Sequence, residues 1–328
     1  LEMSEEQNTA TAAQAGTLDA SEIDSITSDM LQIIADMKAG ETTGAINIRK
    51  DGHLAARQNS ENIVITTKED LPGIDINVAP GTQGEQLHIP VVLTESGLTD
   101  KVYNDFFIGE GADVYIVAGC GVHNDGCEDS QHDGIHRFFL GKNSRVVYLE
   151  KHYGEGSGEG ARILNPVTEV HMEDGSTMEM LTVQIEGVSS TVRDTDCYLG
   201  SNCKLTLTEK LMTTGDQTAT SNMKVVMEGD GSSVQVISRS VAKDNSQQIF
   251  NPLVIGAADC RGHVQCDAIL MGKAKVRAIP GIEADSEDAQ LVHEAAIGKI
   301  AGEEIIKLMT LGLTEEEAEE QIIQDFLS

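Results

Sequence analysis

From about residue 45 to 285 the chain is written in short alternating runs of β-formers. They read INIR, NIVITT, HIPVVL, DVYIVAG, RVVYLE, MEMLTVQI, KLTLTEKL, NMKVVME and SVQVISRS. Alternation of apolar and polar residues predicts strands with one face turned inward. One phrase recurs between them: Gly, two or three small or polar residues, then β-formers. It stands as GEGADVYI at Gly109, GKNSRVVY at Gly141, DGSTMEM at Gly175, GSNCKLTL at Gly200, GDGSSVQV at Gly229 and MGKAKVRA at Gly272. The interval is irregular but near ~30 residues, within the range of stacked repeats. Turn glycines permit positive φ at little steric cost. Inward Val, Ile and Leu can then stack in ladders on successive coils. A right-handed parallel β-helix, or β-solenoid, accounts for this mainly-β pattern better than an antiparallel sandwich does.

The flanks change period. Residues 1–20 are rich in Ala, Thr, Gln and Ser and read as a weakly ordered leader. Ser21 to Lys38 reads as a helix, with Ser21 and Asp24 as caps and Ile23, Ile26, Met30, Ile33 and Met37 at helical spacing. Near the other end, Gly302 to Leu311 carries Ile305, Leu308 and Met309 on one stripe, and Gly312 sits at the C′ position. Thr314 to Glu317 forms a capping box, followed by Ala318, Ile322, Ile323 and Phe326 at helical spacing. The expected division is a leader and helix at 1–44, a β-helix core at 45–285 and a helical domain at 286–328. The terminal helical hairpin is expected to cover an end or side of the solenoid, or to dock a partner.

Composition narrows the function. Aromatics are 3% and Trp is absent, so the core is expected to be built from small and branched side chains. A formal charge of -31 repels phosphate backbones and anionic lipid, which argues against nucleic-acid and membrane partners. No apolar run is long enough to span a bilayer, and no basic segment with an apolar core suggests export. A cytoplasmic location is therefore expected, with the six cysteines as thiols. The chain has no G-x-x-x-x-G-K-[ST], HExxH or GxSxG motif, so no nucleotide is expected to bind by a P-loop and no enzymatic activity is expected of the chain itself.

Two places carry candidate chemistry. Cys266 lies on an alternating run, with His293 and Glu294 following; thiolate, imidazole and carboxylate are ligand types for transition metals and iron–sulfur clusters. A strand cysteine is also commonly a small buried hydrophobe. His293 and Glu294 are adjacent, so in an extended segment only one of them faces Cys266. The second place is AGCGVHNDGCEDSQHDGIHRF, with Cys120, His123, Cys127, His132 and His136. Cys120-x-x-His123 and His132-x-x-x-His136 have metal-ligand spacing; a polar loop with solvated imidazoles is the alternative. Cys197, Cys203 and Cys260 lie on or beside repeat turns, where ladder packing is expected; Cys203 takes the small-residue position of its repeat.

The wording around these residues resembles the SufB/SufD family of the SUF iron–sulfur cluster assembly system, as a short SufB-like member. VQCDAILMG is similar to the family's TQCDSxLxG, and AQLVHEAAIGKI to AQLEHEATTSKI. LMTLGLTEEEAEEQIIQDFL is similar to LxxRGIxEEEAxxxIxxGF, and the AGC…HDGIHRF segment to EGC…LHxAVVEI. The resemblance runs from roughly residue 100 to the end. The C-x-x-C-x-x-x-C cluster near the start of long SufB proteins is missing. The resemblance implies a β-helix core, a C-terminal helical domain, and a transient iron–sulfur cluster as cargo. It also implies partnership with a SufC-type ABC ATPase, with sulfur donor proteins, and with a second copy (a homodimer) or a SufB/SufD paralogue. It maps Cys120 onto a family cysteine thought to receive sulfur and His132 onto the family histidine. Cys266 maps onto the cluster site, with Glu294 as the preferred carboxylate ligand and His293 beside it. A SufD-like subunit that holds no cluster, and a metal-binding protein using the 120–136 run, are the alternatives.

Overall fold

The computed structural model describes residues 24–37 and 44–328. The leader expected over 1–20 and the cap expected at Ser21 lie outside the described residues. Helix α1 (Ser25–Ala35) is capped by Asp24, whose side chain accepts from the Thr27 N–H. Two antiparallel hairpins follow: β1 (Ala45–Lys50) with β2 (His53–Gln58), and β3 (Ile63–Thr67) with β4 (Gly73–Val78). The chain then winds through β5 (Gln83–His88), β6 (Val91–Leu93), β7 (Thr99–Ile108), β8 (Asp113–His123), β9 (Ser130–Leu140), β10 (Arg145–Glu155), β11 (Arg162–Leu164), β12 (Val167–Met172) and β13 (Thr177–Glu186). It continues through β14 (Ser190–Leu199), β15 (Lys204–Thr213), β16 (Thr218–Met227), β17 (Ser233–Ala242), β18 (Gln247–Gly256), β19 (Arg261–Leu270), β20 (Lys275–Ala278), β21 (Gly281–Ala284) and β22 (Gln290–Gly298). Helices α2 (Gly302–Thr310) and α3 (Glu315–Leu327) end it.

The winding makes a parallel β-solenoid of about 8 turns, as the repeats predict. One 11-stranded sheet runs β2-β1-β5-β8-β10-β13-β15-β17-β19-β22, with β6 joined at its side. A second runs β20-β18-β16-β14-β11-β9-β7-β4-β3, with β12 and β21 joined at its side. The register shows the coil length directly. Arg145 stacks on Asp113 and Thr177 on Arg145, 32 residues apart each time. Later coils are shorter: Lys204 stacks on Thr177, then Ser233 on Lys204, 27 and 29 residues on. The coil corner is a column of left-handed residues, Gly111 (φ 67), Asn143 (φ 56), Gly175 (φ 75), Asn202 (φ 56) and Gly231 (φ 74). Glycine and asparagine tolerate this conformation, which closes the turn. Next to it runs a column of buried small side chains, Ala112, Ser144, Ser176, Cys203, Ser232 and Cys260. Cys203 and Cys260 are thus ladder residues, and Cys197 is fully buried on β14.

The interior is packed from Val, Ile, Leu and Met, with one aromatic knot. Phe106 and Phe138 stack at 4.2 Å, and Tyr148 meets Phe138 edge-on at 5.0 Å. Helix α1 lies on the outer face of the first sheet, burying Met30, Leu31 and Ile34 against Ile46, Ile48, Val92 and Val117. The contact depends on Gly119 and Gly121: a Cβ at 121 would stand 2.6 Å from Met30 Cε, and one at 119 would strike the Ile34 carbonyl.

The C-terminal boundary differs from the expected one. Residues 290–298 are not helical; β22 pairs in register with β19 and adds another rung to the solenoid. Helix begins only at Gly302. The capping box at Thr314 and Glu317 forms, and Gly312 takes φ 103. Helix α3 rests on the side of the solenoid, with Ile323 and Leu327 against Val241, whereas α2 buries no residue.

Candidate functional site

Residues of one strand face point inward at every second position, and this sorts the candidates. On β8, Cys120 points in and is buried; on β9, His132, Gly134 and His136 share the inward face. Their even spacing puts His132 and His136 on one side of the strand. His123 ends β8 at the surface, where its Nδ1 meets Glu155 at 3.0 Å and its Nε2 meets Asp125 at 2.9 Å. Burial lowers its affinity for a proton, and Asp125 and Glu155 outweigh that and raise it. Cys127 is exposed on the following loop. The 120–136 run is therefore divided between interior and surface. Among the described residues no three His, Cys, Asp or Glu side chains stand together as a metal site.

Cys120 sits instead in a buried ionic cluster. Its ladder neighbour on β10 is His152, and His132 stands beside it from β9. The His132 Nδ1 meets Asp100 Oδ2 at 3.2 Å, and Arg49 donates to Asp100 Oδ1 at 2.9 Å. His152 donates from Nε2 to Glu150 at 2.8 Å, and its Nδ1 lies 3.3 Å from the Gln184 carbonyl oxygen. Arg193 donates to Glu150 at 2.8 Å. Burial pushes the Cys120 thiol up, but the His132 and His152 imidazoles outweigh it and bring it down to about 7. Burial opposes the charged form of His132, yet the Cys120 sulfur and Asp100 raise it to about 10. Glu150 is pushed up by burial and pulled well below its ordinary range by Arg193 and His152.

Asp100, Tyr148, Glu150, His152 and Arg193 were not singled out from the sequence. On β10 the inward positions are Val146, Tyr148, Glu150 and His152, while Val147 and Leu149 face outward. The apolar parity of RVVYLEKHY points to the wrong face, so alternation hides the cluster. A signal does exist in it: Tyr, Glu and His at successive even positions.

A polar column leads from this cluster toward Cys266. The Arg193 Nε lies 4.0 Å from Glu209. Glu209 accepts from Ser221 at 2.7 Å and from Ser238 at 3.3 Å, and Ser238 is the ladder neighbour of Cys266. Thr182, Gln184, Thr191, Arg193, Glu209 and Ser221 help line an interior cavity of about 10 Å³, room for one water. Cys120 and Cys266 are five rungs apart in the first sheet, roughly 24 Å at the usual strand spacing.

Cys266 points inward from β19 and is buried. Burial, then Asp267 and Glu209, push its thiol up to about 11. In the register His293 stacks on Val264, Glu294 on Gln265 and Ala295 on Cys266. His293 therefore shares the inward face with Cys266, and its Nε2 is buried without a hydrogen-bond partner. Glu294 points the other way and meets His263 Nε2 at 2.9 Å. Of the two adjacent residues, the pleat thus puts His293, and not Glu294, on the face of Cys266.

The SUF system FeS cluster assembly, SufBD core domain matches residues 103–326. The chain belongs to the SufBD core family. An iron-sulfur cluster assembly SufBD family protein of Methanothermobacter thermautotrophicus is 28% identical over 265 residues, covering 79% of this chain and 63% of that protein. One of Archaeoglobus fulgidus is 27% identical over 263 residues, covering 79% and 69%. One of Methanocaldococcus jannaschii is 24% identical over 285 residues, covering 85% and 89%. The chain thus spans less than two thirds of the length of the Methanothermobacter relative. The SufBD match covers both cysteine sites. Among the described residues no helix is long and apolar enough to cross a membrane.

Proposed function

We propose that this SufBD protein is a scaffold subunit on which iron–sulfur clusters are assembled and from which they are transferred. A SufC-type ATPase supplies the nucleotide hydrolysis, and sulfur donor proteins supply sulfur. Cys120 accepts the sulfur: its thiolate attacks the outer sulfur of a donor persulfide, the donor S–S bond breaks, and the donor leaves as its thiolate. The outer sulfur keeps its proton, and this step needs no oxidant or reductant. Two thiols of low molecular weight then release that sulfur as sulfide, leaving as their disulfide and returning Cys120 to the thiol, and iron and sulfide assemble at Cys266 and His293. The observation that carries this reading is the pairing of two inward cysteines through one buried polar column.

Among the described residues the second site has one cysteine and one histidine on its face, and a partner chain completes it. The site lies next to β22, which among the described residues ends its sheet with one edge unpaired. A second copy of this chain, or a SufB/SufD paralogue, fits that edge. The test is anaerobic reconstitution with iron and sulfide after co-purification with a SufC-type ATPase, comparing the wild type with Cys266→Ser by visible absorbance and by bound iron and sulfide. A cluster lost with Cys266 supports the scaffold; a cluster fully retained overturns the assignment. A SufD-like role without a cluster is the second reading, favoured by the high thiol pKa of Cys266, and it predicts stable ATPase binding with no cluster in either protein.

A further inference from the structure

The surroundings of Cys120 are more ordered than a packed strand cysteine needs. Arg49 fixes one oxygen of Asp100, and the other oxygen of Asp100 fixes Nδ1 of His132. The opposite ring nitrogen, Nε2, is buried and among the described residues has no hydrogen-bond partner of its own. Cys120 is one of the groups that act on this ring, and it shares the interior with it. Gly134 keeps the space beside it open: a Cβ there would lie 3.3 Å from His132 Nε2 and 3.2 Å from His136 Nε2. His132 and His136 face this space from β9, and Tyr148, Glu150 and His152 from β10. Arg193 reaches in from β14 and Asp100 from β7. A buried anion is costly unless a cation is held against it. A thiolate is the reactive form of cysteine, and a carboxylate that orients an imidazole toward a nucleophile recurs on unrelated folds.

We propose that Asp100 is a positioning residue that locks the His132 ring with Nε2 turned to Cys120, making a Cys–His–Asp set that holds Cys120 as a thiolate on the inward face of β8. The set gives a physical basis for Cys120 as sulfur acceptor and rests on that reading. Its test reads charge state rather than sulfur transfer, so the two fail separately.

The experiment is an anaerobic titration of thiolate absorbance between roughly pH 5 and 9. It is done in a Cys127→Ser background, which removes the exposed thiol. One thiolate is expected to form near pH 7 and to vanish when Cys120→Ser is added. Asp100→Asn is expected to move that step upward by about one pH unit or more, with the fold retained by circular dichroism. Gly134→Ala, which presses on His132 without changing any charge, is expected to move it upward too, and covers the case in which Asp100→Asn does not fold. An unmoved step in a folded variant overturns the role of Asp100, and so does the absence of any step near pH 7 in the parent. If the step behaves as expected but Cys120 takes up no sulfur from a small-molecule persulfide, the set stands and the acceptor reading falls.

Discussion

Cys120 and Cys266 occupy the same kind of place and have opposite chemistry. Both point inward from strands of one sheet and both are buried, so burial raises both thiols. Around Cys120 two imidazoles reverse the effect; around Cys266 the nearest charges are Asp267 and Glu209, which reinforce it. The ends they belong to differ as well. The Cys120 coils lie under α1, and their charged residues are paired in the interior. The Cys266 coil is next to an open edge, with Val292, Ile297, Ile306 and Leu311 exposed. One fold position, an inward cysteine in a β-ladder, is thus shifted toward thiolate or toward neutral thiol by the charged side chains around it. A thiol kept neutral in one chain is a poor ligand until a metal or a second chain changes its surroundings.

The comparison can be broken at the Cys120 end first. Glu150→Ala leaves the buried Arg193 with only the longer 4.0 Å contact to Glu209 and removes the carboxylate that holds His152, and is expected to cost about 3–5 kcal/mol in urea unfolding. A loss below about 1 kcal/mol would mean that water, not Glu150, compensates them. Met30→Ala, which empties the space over Gly121, is expected to cost about 2–5 kcal/mol and to loosen α1, read as faster amide exchange in Ser25–Ala35.

Acid sharpens the contrast. Burial, with His132, His152 and Arg193 nearby, holds His136 neutral down to about pH 4. Between pH 6.5 and 4 the unfolded chain binds this proton and the folded one does not, so stability falls with pH across that window. The loss is on the order of 2–3 kcal/mol, and His136→Gln is expected to flatten that limb. At the other end the smallest effect is expected: Leu311→Ser, on a side chain 77% exposed, changes the stability of the monomer by less than about 0.5 kcal/mol.

The architecture was legible because its signal is repeated. Each coil spells the same corner, and six imperfect copies of one phrase point to one solenoid. Cys203 was assignable to the ladder for the same reason, since Ser or Ala holds its place in neighbouring coils. The end of the solenoid was less legible: β22 follows the short strands β20 and β21 and lies in wording that the family resemblance grouped with the helical tail. The polar cluster was largely hidden. Register brings Cys120 beside His152, 32 residues away, and Glu150 to Arg193, 43 residues away. No local spacing encodes such pairs. The adjacency of His293 and Glu294 did show that only one could face Cys266; which one depended on a register that only the ladder fixes.

The most direct test of the central claim locates sulfur on the chain. The protein is exposed anaerobically to a small-molecule persulfide near neutral pH, and its cysteine peptides are resolved by mass spectrometry. An added sulfur atom on Cys120, still present in Cys266→Ser and absent from Cys266 when Cys120→Ser is used, is the predicted result. Sulfur on Cys266 with Cys120 empty, or loading of Cys266 that persists without Cys120, would contradict the account.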